Sequence, residues 1–406
     1  MKLRNLTVVA LLAGVLLAQG SYHTALADEV RPALGKPLQS ALAAMRAGRY
    51  PQAMNFVRQA DAVPGKTPHE TYLVEQTRAA IAERSGDTAT EAAAYQRLLA
   101  TGQVAASEQV RIYQAEAALS YKAHDYPATV NWVAKYFKAG GTAPEMRTLQ
   151  IQALYLSKNY KAAGQLQKQV VAAEMRAGRT PAENDLLLLY NCQKNDHDNT
   201  AALGTIKQLV YYYQKPDYWR NVIDTLRAKS DFSDRLLFEV YRLEFALNLV
   251  NSSSDAMEMA ELAVQAKLPG EAKEIVDKSY AGGLFGNGAD AARELRLKNL
   301  VDKTYNDMRA TLDKQEADVA TDRDGNRMLQ LGETYVSYGM FDKGIPLMIE
   351  AMKKDDLRHP EDAKLDLGIA YLRAGNKRQA IAELRAVRGA DGTEDIAQLW
   401  LLHIGH

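Results

Sequence analysis

The carboxyl-terminal part of the chain contains one short pattern twice. Residues 331–335 read Leu331-Gly332-Glu333-Thr334-Tyr335, and residues 367–371 read Leu367-Gly368-Ile369-Ala370-Tyr371. A glycine between large side chains lets two antiparallel helices approach closely while its neighbours fill the space around the contact. The residues that follow agree in offset as well, with Gly339, Gly344 and Met348 after the first copy and Gly375, Ala380 and Leu384 after the second. A single hairpin cannot bury its apolar face, so the pattern predicts hairpins that stack on one another.

Weaker copies of the pattern occur toward the amino terminus. Similar turns recur at Gly48-Arg49-Tyr50, His124-Asp125-Tyr126 and Lys158-Asn159-Tyr160. Three capping boxes, in which a Thr and a Glu three residues later cap the start of a helix, are expected at 67–70, 142–145 and 180–183. Because these signals recur between stretches of helical apolar spacing, they predict helix hairpins rather than strands.

The paired patterns resemble the tetratricopeptide repeat (TPR) motif, L-G-x-x-Y followed by A-x-x-x-F. The resemblance implies an all-α fold, a right-handed α-solenoid of stacked antiparallel helix hairpins (the TPR superhelix) with about eight to eleven units. We expect an amino-terminal array over 28–214, a divergent helical middle segment over 215–320 and a carboxyl-terminal TPR pair with a capping helix over 321–406. The glycine-rich stretch 282–288 is expected to be a flexible link between two sub-arrays.

The composition excludes several classes of protein. The 406 residues include 50 Lys and Arg and 50 Asp and Glu, so the formal net charge is zero, which excludes a nucleic-acid binder that depends on bulk positive charge. Hydrophobic residues make up 47% of the chain, enough to fill a core, and so an acidic disordered chain is excluded too. The single cysteine, Cys192, permits no internal disulfide and no cysteine metal cluster, and we expect it to be buried and inert.

The first residues have the features of an export signal. Lys2 and Arg4 precede an apolar run over 6–18, and Ala25-Leu26-Ala27 provides a cleavage site. The alternative is an uncleaved membrane anchor, but the run is shorter than the roughly 20 apolar residues that a spanning helix needs. We therefore predict a cleavable signal peptide over 1–27, cleavage after Ala27, a periplasmic location in a Gram-negative bacterium, and no membrane span in the mature chain.

Motifs that could carry chemistry are better explained by structure. Residues 65–67 (GKT) match a permissive phosphate loop, yet they follow helical sequence instead of a strand. Residues 322–325 (DRDG) lack oxygen donors at the first and last positions of a calcium loop. Residues 195–199 (NDHDN) fit a polar turn, and His403 and His406 lack a third donor. We expect no catalytic residue, no metal and no cofactor.

The resemblance also assigns groove positions to the first helix of each hairpin. In the two clearest units these are Asn326, Leu329, Glu333, Val336 and Ser337, then Asp362, Leu365, Ile369, Leu372 and Arg373. Chaperone-binding members clamp a terminal carboxylate with Lys and Asn, whereas Leu, Glu and Ile stand at those places here. The mixed lining suits an extended or helical peptide. The candidate binding residues are therefore Asn326, Glu333, Ser337, Asp362, Ile369 and Arg373.

A second candidate surface lies in the middle segment. Tyr218 and Trp219 follow three tyrosines at 211–213, and such residues are enriched at interface hot spots. The sequence leaves two readings open, an exposed patch that anchors a partner and ordinary packing between helices.

Residues 211–219 (YYYQKPDYW) also look like envelope TPR proteins that have been proposed as accessory components of TonB-type systems. From these features we expect a non-catalytic periplasmic scaffold that binds protein partners in a cell-envelope complex, of the TonB or polymer-export kind. Two alternatives stay open. One is a protein that binds a small ligand or glycan near 215–290, and the other is a helical arm for peptidoglycan enzymes, similar to that of lytic transglycosylases.

Overall fold

The computed structural model describes residues 30–320, 324–354 and 356–405, so the expected signal peptide lies outside the described residues. The described part of the chain contains twenty α-helices and no strand, and a short 3-10 helix, Asp234–Leu236, precedes α12. The prediction of an all-α repeat is confirmed. The helices are α1 (Pro32–Arg46), α2 (Tyr50–Asp61), α3 (Pro68–Ser85), α4 (Thr88–Ala100), α5 (Ala106–Lys122), α6 (Tyr126–Lys138), α7 (Pro144–Leu156), α8 (Tyr160–Arg176), α9 (Glu183–Asn195), α10 (Asn199–Tyr213), α11 (Pro216–Arg227), α12 (Leu237–Ala246), α13 (Ser253–Gln265), α14 (Pro269–Ala281), α15 (Ala291–Ala320), α16 (Gly325–Ser337), α17 (Phe341–Met352), α18 (Pro360–Arg373), α19 (Lys377–Ala386) and α20 (Thr393–Ile404).

One turn geometry joins the two helices of a hairpin at eight places in the described chain. In each of these eight hairpin turns one residue lies in the left-handed region, with φ between 59° and 78°. The following N–H then donates to the carbonyl oxygen five residues earlier, at 2.8–3.0 Å, which is the hydrogen bond that ends a helix in the Schellman motif. This recurrence is direct structural evidence for the repeat. The eight left-handed residues are Gly48, Gly86, His124, Lys158, His197, Lys267, Gly339 and Gly375.

The glycines of the deciding motif lie where helices touch. A Cβ atom at Gly332 of α16 would come within 2.7 Å of the Met348 side chain and 3.0 Å of the Gly344 carbonyl oxygen on α17. The reciprocal position, Gly344, would place its Cβ 2.6 Å from the Gly332 carbonyl oxygen. At Gly368 of α18 the nearest atom is Leu384 Cγ of α19, at 2.7 Å. The close helix approach that the sequence predicts is therefore present in both hairpins.

The three expected capping boxes have different outcomes. The first is present, because the Thr67 hydroxyl accepts from Glu70 N at 3.1 Å and the Glu70 carboxylate accepts from Thr67 N at 3.0 Å. The other two are wrong, since α7 and α9 are preceded by Ala143 and Ala182, which provide no side-chain cap. At α7 the cause is Pro144, which takes the first helical position and moves the start of the helix one residue beyond Thr142.

The chain divides into two compact units, with the boundary between Ala202 and Leu203 inside α10. In unit 1, which ends at Ala202, helices α1 to α9 pack on their neighbours in chain order. Their contacts form a series of small apolar clusters, each of which joins side chains of two or three successive helices. Such nearest-neighbour packing is the expected energetic organisation of a helical repeat.

Unit 2, which begins at Leu203, contains the hairpins α13–α14, α16–α17 and α18–α19. The long helix α15 packs on α13 and α14 through Leu297 and Val301 and reaches α16 through Leu312. Helix α20 packs on α19, α18 and α12 and buries Leu399 and Trp400. It therefore occupies the place of the expected capping helix.

The glycine-rich stretch 282–288 lies inside unit 2, and the expectation of a flexible link between sub-arrays is wrong. Phe285 is buried against Tyr280, with ring centroids 5.5 Å apart. Gly286 N donates to a carboxylate oxygen of the buried Glu294 at 2.7 Å, which ties the loop to α15. None of the helices in the described ranges is both long enough and apolar enough to cross a membrane.

Candidate functional site

The predicted groove residues on α16 and α18 are engaged by their own chain. The side-chain nitrogen of Asn326 donates to Asp324 Oδ1 and to the Asp356 carbonyl oxygen, and its side-chain oxygen accepts from Arg358 N at 2.9 Å. Ser337 is buried, where its hydroxyl donates to the Thr334 carbonyl oxygen at 2.7 Å and accepts from Gly270 N at 3.3 Å. Ile369 is 3% exposed. These three side chains are hydrogen-bonded or buried within unit 2, and their assignment as binding residues stays a prediction.

Beside the charged groove residues lies an ion-pair cluster around Arg242, which no sequence motif reveals. Arg242 of α12 forms a two-pronged ion pair with Glu271 of α14, with both nitrogen–oxygen distances at 2.8 Å. Its third nitrogen lies 2.6 Å from Asp366 of α18 and 3.0 Å from Glu239 of its own helix. Three helices distant in sequence are thereby joined through one nearly buried guanidinium. We call Arg242, Glu239, Glu271, Glu333, Asp366 and Arg373 the Arg242 cluster.

Arg373 and Glu333 complete the Arg242 cluster. Arg373 of α18 pairs with Glu271 and lies 3.0 Å from Glu274, so it bridges α18 to α14. Glu333 of α16 accepts from Gln330 at 3.4 Å. The charge of Asp366 raises the pKa of Glu333, and that of Arg242 lowers it. Asp362, one turn before Asp366, forms a two-pronged pair with Arg235 at 2.8 and 2.9 Å. The two predicted residues Glu333 and Arg373 therefore lie in one electrostatic cluster, beside the Arg235–Asp362 pair.

Burial and crowding set the charge state of this cluster. Burial raises the pKa of Glu239 to about 8 and that of Asp366 to about 6, and neighbouring carboxylates reinforce both shifts. Burial also raises the pKa of Glu333 well above its usual range. Glu271 behaves differently: burial works to raise its pKa, but Arg242 and Arg373 together hold it below the usual range. The cluster therefore retains protons on part of its carboxyl groups near neutral pH.

Of the two readings of Tyr218 and Trp219, the exposed patch does not agree with the structure. Both side chains are buried, at 4% and 2% exposure, and the Trp219 indole donates to the Gln214 side-chain oxygen at 3.2 Å. Pro216 begins α11, which places these rings on the same buried face as Val222, Ile223 and Leu226. Packing between helices, the other reading of the sequence, is what the structure contains.

A different set of aromatic rings is only partly buried in unit 1. Tyr113 of α5 stacks on Trp132 of α6, with ring centroids 5.9 Å apart and planes 24° apart. The Lys135 ammonium lies 3.9 Å from the centre of the Trp132 ring, and the Arg147 guanidinium lies 4.4 Å from that of Phe137. The inner edge of these rings packs on the buried cluster around Val133 and Tyr136. We call Tyr113, Trp132, Lys135, Phe137 and Arg147 the Trp132 patch.

The other chemical motifs have structural roles among the described residues. Lys66 binds the Val63 carbonyl oxygen at 3.2 Å and pairs with Asp61, so it caps the end of α2. His197 provides a left-handed turn residue, and Asp198 accepts from Ala201 N at 3.0 Å to cap α10. Cys192 is fully buried, and burial raises the pKa of its thiol to about 12. No group of three or more His, Cys, Asp or Glu side chains within the described ranges could hold a metal ion.

No family model matches the chain. No curated protein matches it either. Similar solved structures include the Naa15/Naa10 complex bound to HypK-THB (12% identity over 88% of this chain and 68% of that chain, TM-score 0.26). They also include yeast Tom70 (11% identity over 91% and 95%, TM-score 0.23) and the TPR domain of P58(IPK) (11% identity over 91% and 98%, TM-score 0.23). The helix hairpins and their recurring turns define the fold of the described residues.

Proposed function

We propose that this chain is a non-catalytic helical-repeat scaffold that binds a protein partner through the Trp132 patch of unit 1. The observation that carries the proposal is the partly buried stack of Tyr113 on Trp132, with Lys135 over the indole face. Rigid aromatic rings beside a cation are the side chains that most often carry binding energy at protein interfaces. The patch suits a partner segment that brings an apolar side chain for the rings and a carboxylate for Lys135 or Arg147.

The repeat architecture supports this role. Successive hairpins present an extended helical surface, and such surfaces bind peptide segments as an apolar helix face or an extended strand. The groove residues on α16 and α18 are already paired within unit 2, so a partner would have to displace internal ion pairs to reach them. A partner could contact the aromatic rings of the Trp132 patch in unit 1 without displacing these ion pairs.

We further propose that the scaffold acts in the periplasm, within a cell-envelope complex of the TonB or polymer-export kind. The support for this location is the sequence of residues 2–27, which has a basic start, an apolar run and an A-x-A site. The proposed partner is therefore an envelope protein with a segment that is accessible in the periplasm.

The test is an affinity capture with the mature chain, residues 28–406, from a crosslinked native envelope fraction read by mass spectrometry. We expect one membrane complex to be enriched and its recovery to fall about tenfold or more in Trp132→Ala. Tyr160→Ala is the matched control, because it removes a ring that packs edge-on against Tyr155 at the α7–α8 turn, away from the patch.

Two further outcomes decide between the surfaces. Glu333→Gln and Arg373→Gln should leave the recovery unchanged, provided that circular dichroism shows folded protein. A partner lost in these variants and retained in Trp132→Ala would place binding in the groove that the TPR resemblance implies, and the Trp132 proposal would be wrong. Capture of no protein at all would contradict the scaffold function itself.

A further inference from the structure

The two ends of unit 2 are joined by charges of opposite sign. One side of this junction contributes four cations from residues 207–242, and the other contributes four aspartates from residues 362–395. Lys207 and Lys229 both pair with Asp395, at 3.1 and 2.8 Å. We call this junction the ionic seam. Its cations are Lys207, Lys229, Arg235 and Arg242, and its aspartates are Asp362, Asp366, Asp391 and Asp395.

The ionic seam differs from the contacts between paired helices elsewhere in unit 2. The α16–α17 contact is made by glycine backbone and methionine side chain, with approaches that leave no room for a methyl group. At the seam, by contrast, the ion-paired side chains of Lys207, Lys229 and Arg235 keep 21–31% of their surface in water, and only Arg242, at 9%, is nearly buried. Partly hydrated ion pairs contribute little net stability each and are weakened by salt, whereas close-packed contacts are not.

Two of the four aspartates belong to one terminal segment, with Asp391 just before α20 and Asp395 in its first turn. Helix α20 follows a short connection that contains Gly389 and Gly392 at φ values of 153° and 105°, a backbone region that glycine enters easily. The helix has only 12 residues. A helix of this length is marginal in water when it is not packed, so its amide protons would exchange whenever it leaves its place.

We propose that the ionic seam is a clasp that opens while the rest of unit 2 stays folded, releasing α20 from α12 at the start of the unit and from α18 and α19. Opening separates Asp395 from Lys207 and Lys229, as well as Asp391 from Arg235. It is a sub-global transition, of the kind in which a segment opens at a lower free energy than the whole domain. Salt, which screens the charges of the seam, shifts the clasp toward the open state.

Hydrogen–deuterium exchange of the full mature chain, followed by mass spectrometry, tests this clasp. Peptides that cover α20 should exchange faster than those of α16 and α17. Raising NaCl from 0.05 to 1 M should accelerate exchange in α20 about tenfold, because the screening length falls from more than 10 Å to about 3 Å. The amides of α16 and α17 serve as the internal reference for global unfolding.

Charge removal distinguishes the clasp from simple fraying of a terminal helix. Asp395→Asn should accelerate exchange in α20 about tenfold at low salt and weaken its salt dependence. The matched control is Asp307→Asn, which removes a carboxylate paired with Lys303 on the exposed face of α15. This control should leave exchange in α20 unchanged.

A cycle of variants completes the test. Lys207→Gln with Lys229→Gln should give the same acceleration as Asp395→Asn, and all three changes together should add nothing further. Additive effects would show that the residues act independently. Equal exchange of α20 and α16–α17 under all conditions, or fast exchange in α20 that responds neither to salt nor to Asp395→Asn, would also overturn the proposal.

Discussion

At the residue scale, the repeat depends on one left-handed residue in each turn. Glycine occupies four of the eight positions, at Gly48, Gly86, Gly339 and Gly375, and enters this conformation without strain. Histidine or lysine occupies the other four described positions and holds φ near +60°. A side chain with a Cβ atom pays roughly 1–2 kcal/mol for this backbone region. These turns therefore keep the same geometry at different energetic cost.

Lys158→Gly should raise the free energy of unfolding by about 1 kcal/mol, because glycine removes the steric strain at φ 62°. The measurement is a urea titration followed by circular dichroism. The reciprocal change, Gly375→Ala, places a Cβ atom at φ 78° and should lower stability by a similar amount. A change of the same sign in the free energy of unfolding for both substitutions would contradict the strain argument.

Glu116 of α5 makes stability depend on pH. Its side chain is 1% exposed, and burial raises its pKa to about 7. The unfolded chain releases this proton near pH 4.5, so the folded state holds more protons between pH 4.5 and 7, and stability falls as pH rises through that window. Glu116→Gln should therefore gain about 1–2 kcal/mol at pH 8 and little at pH 5.

The control for Glu116 is Glu108→Gln on the same helix, where the half-exposed carboxylate accepts from the Tyr72 hydroxyl at 2.9 Å. This variant should retain the wild-type slope of stability against pH between 5 and 8. Thermal unfolding across that range measures both variants. A slope that persists in Glu116→Gln would show that another group controls the pH response, such as Glu91, whose pKa burial also raises to about 7.

At the element scale, the tightest described hairpin is α16–α17. Gly332→Ala should lower the free energy of unfolding by about 1–3 kcal/mol, since the new Cβ atom has backbone as well as side-chain atoms within 3.0 Å. Gly204→Ala is the matched control. It lies within α10 with no atom near the added methyl group, so it should gain about 1 kcal/mol from helix propensity. The same sign for both substitutions would contradict the close-approach argument.

The sequence predicts the elements that carry local signals. Gly332, Gly368 and the turn glycines are visible because the backbone conformation or the helix contact demands that residue type. The capping boxes predicted at Thr142 and Thr180 are wrong. Pro144 begins α7 one residue beyond the position that Thr142 would cap, and α9 begins at Glu183, after Ala182, which leaves Thr180 outside the helix. No local sequence signal indicates the Arg242 cluster. Arg242 and Asp366 are 124 residues apart in the sequence and come into contact only when unit 2 folds.

At the scale of the whole molecule, unit 2 is closed around the Arg242 cluster. Arg242→Gln should cost about 3–5 kcal/mol at pH 8, because several buried carboxylates lose their shared counter-charge. Loss of the cation also raises the pKa of Asp366 and Glu239 further, so at pH 5 these groups are protonated and the cost should be smaller. Chemical denaturation at both pH values measures the difference.

The control for Arg242→Gln is Lys303→Gln, a charge removed from the exposed face of α15, which should cost less than about 1 kcal/mol at either pH. An equal loss for Arg242→Gln at pH 5 and pH 8 would mean that the guanidinium stabilises unit 2 by packing and not by balancing carboxylates.

Crosslinking mass spectrometry on the captured complex, with a lysine-reactive reagent, tests whether the partner binds unit 1. We expect crosslinks from the partner to Lys135 and Lys138 on α6, because Lys135 lies over the indole of the Trp132 patch. Crosslinks to Lys267, Lys343 or Lys364 of unit 2, with none on α6, would contradict partner binding through unit 1.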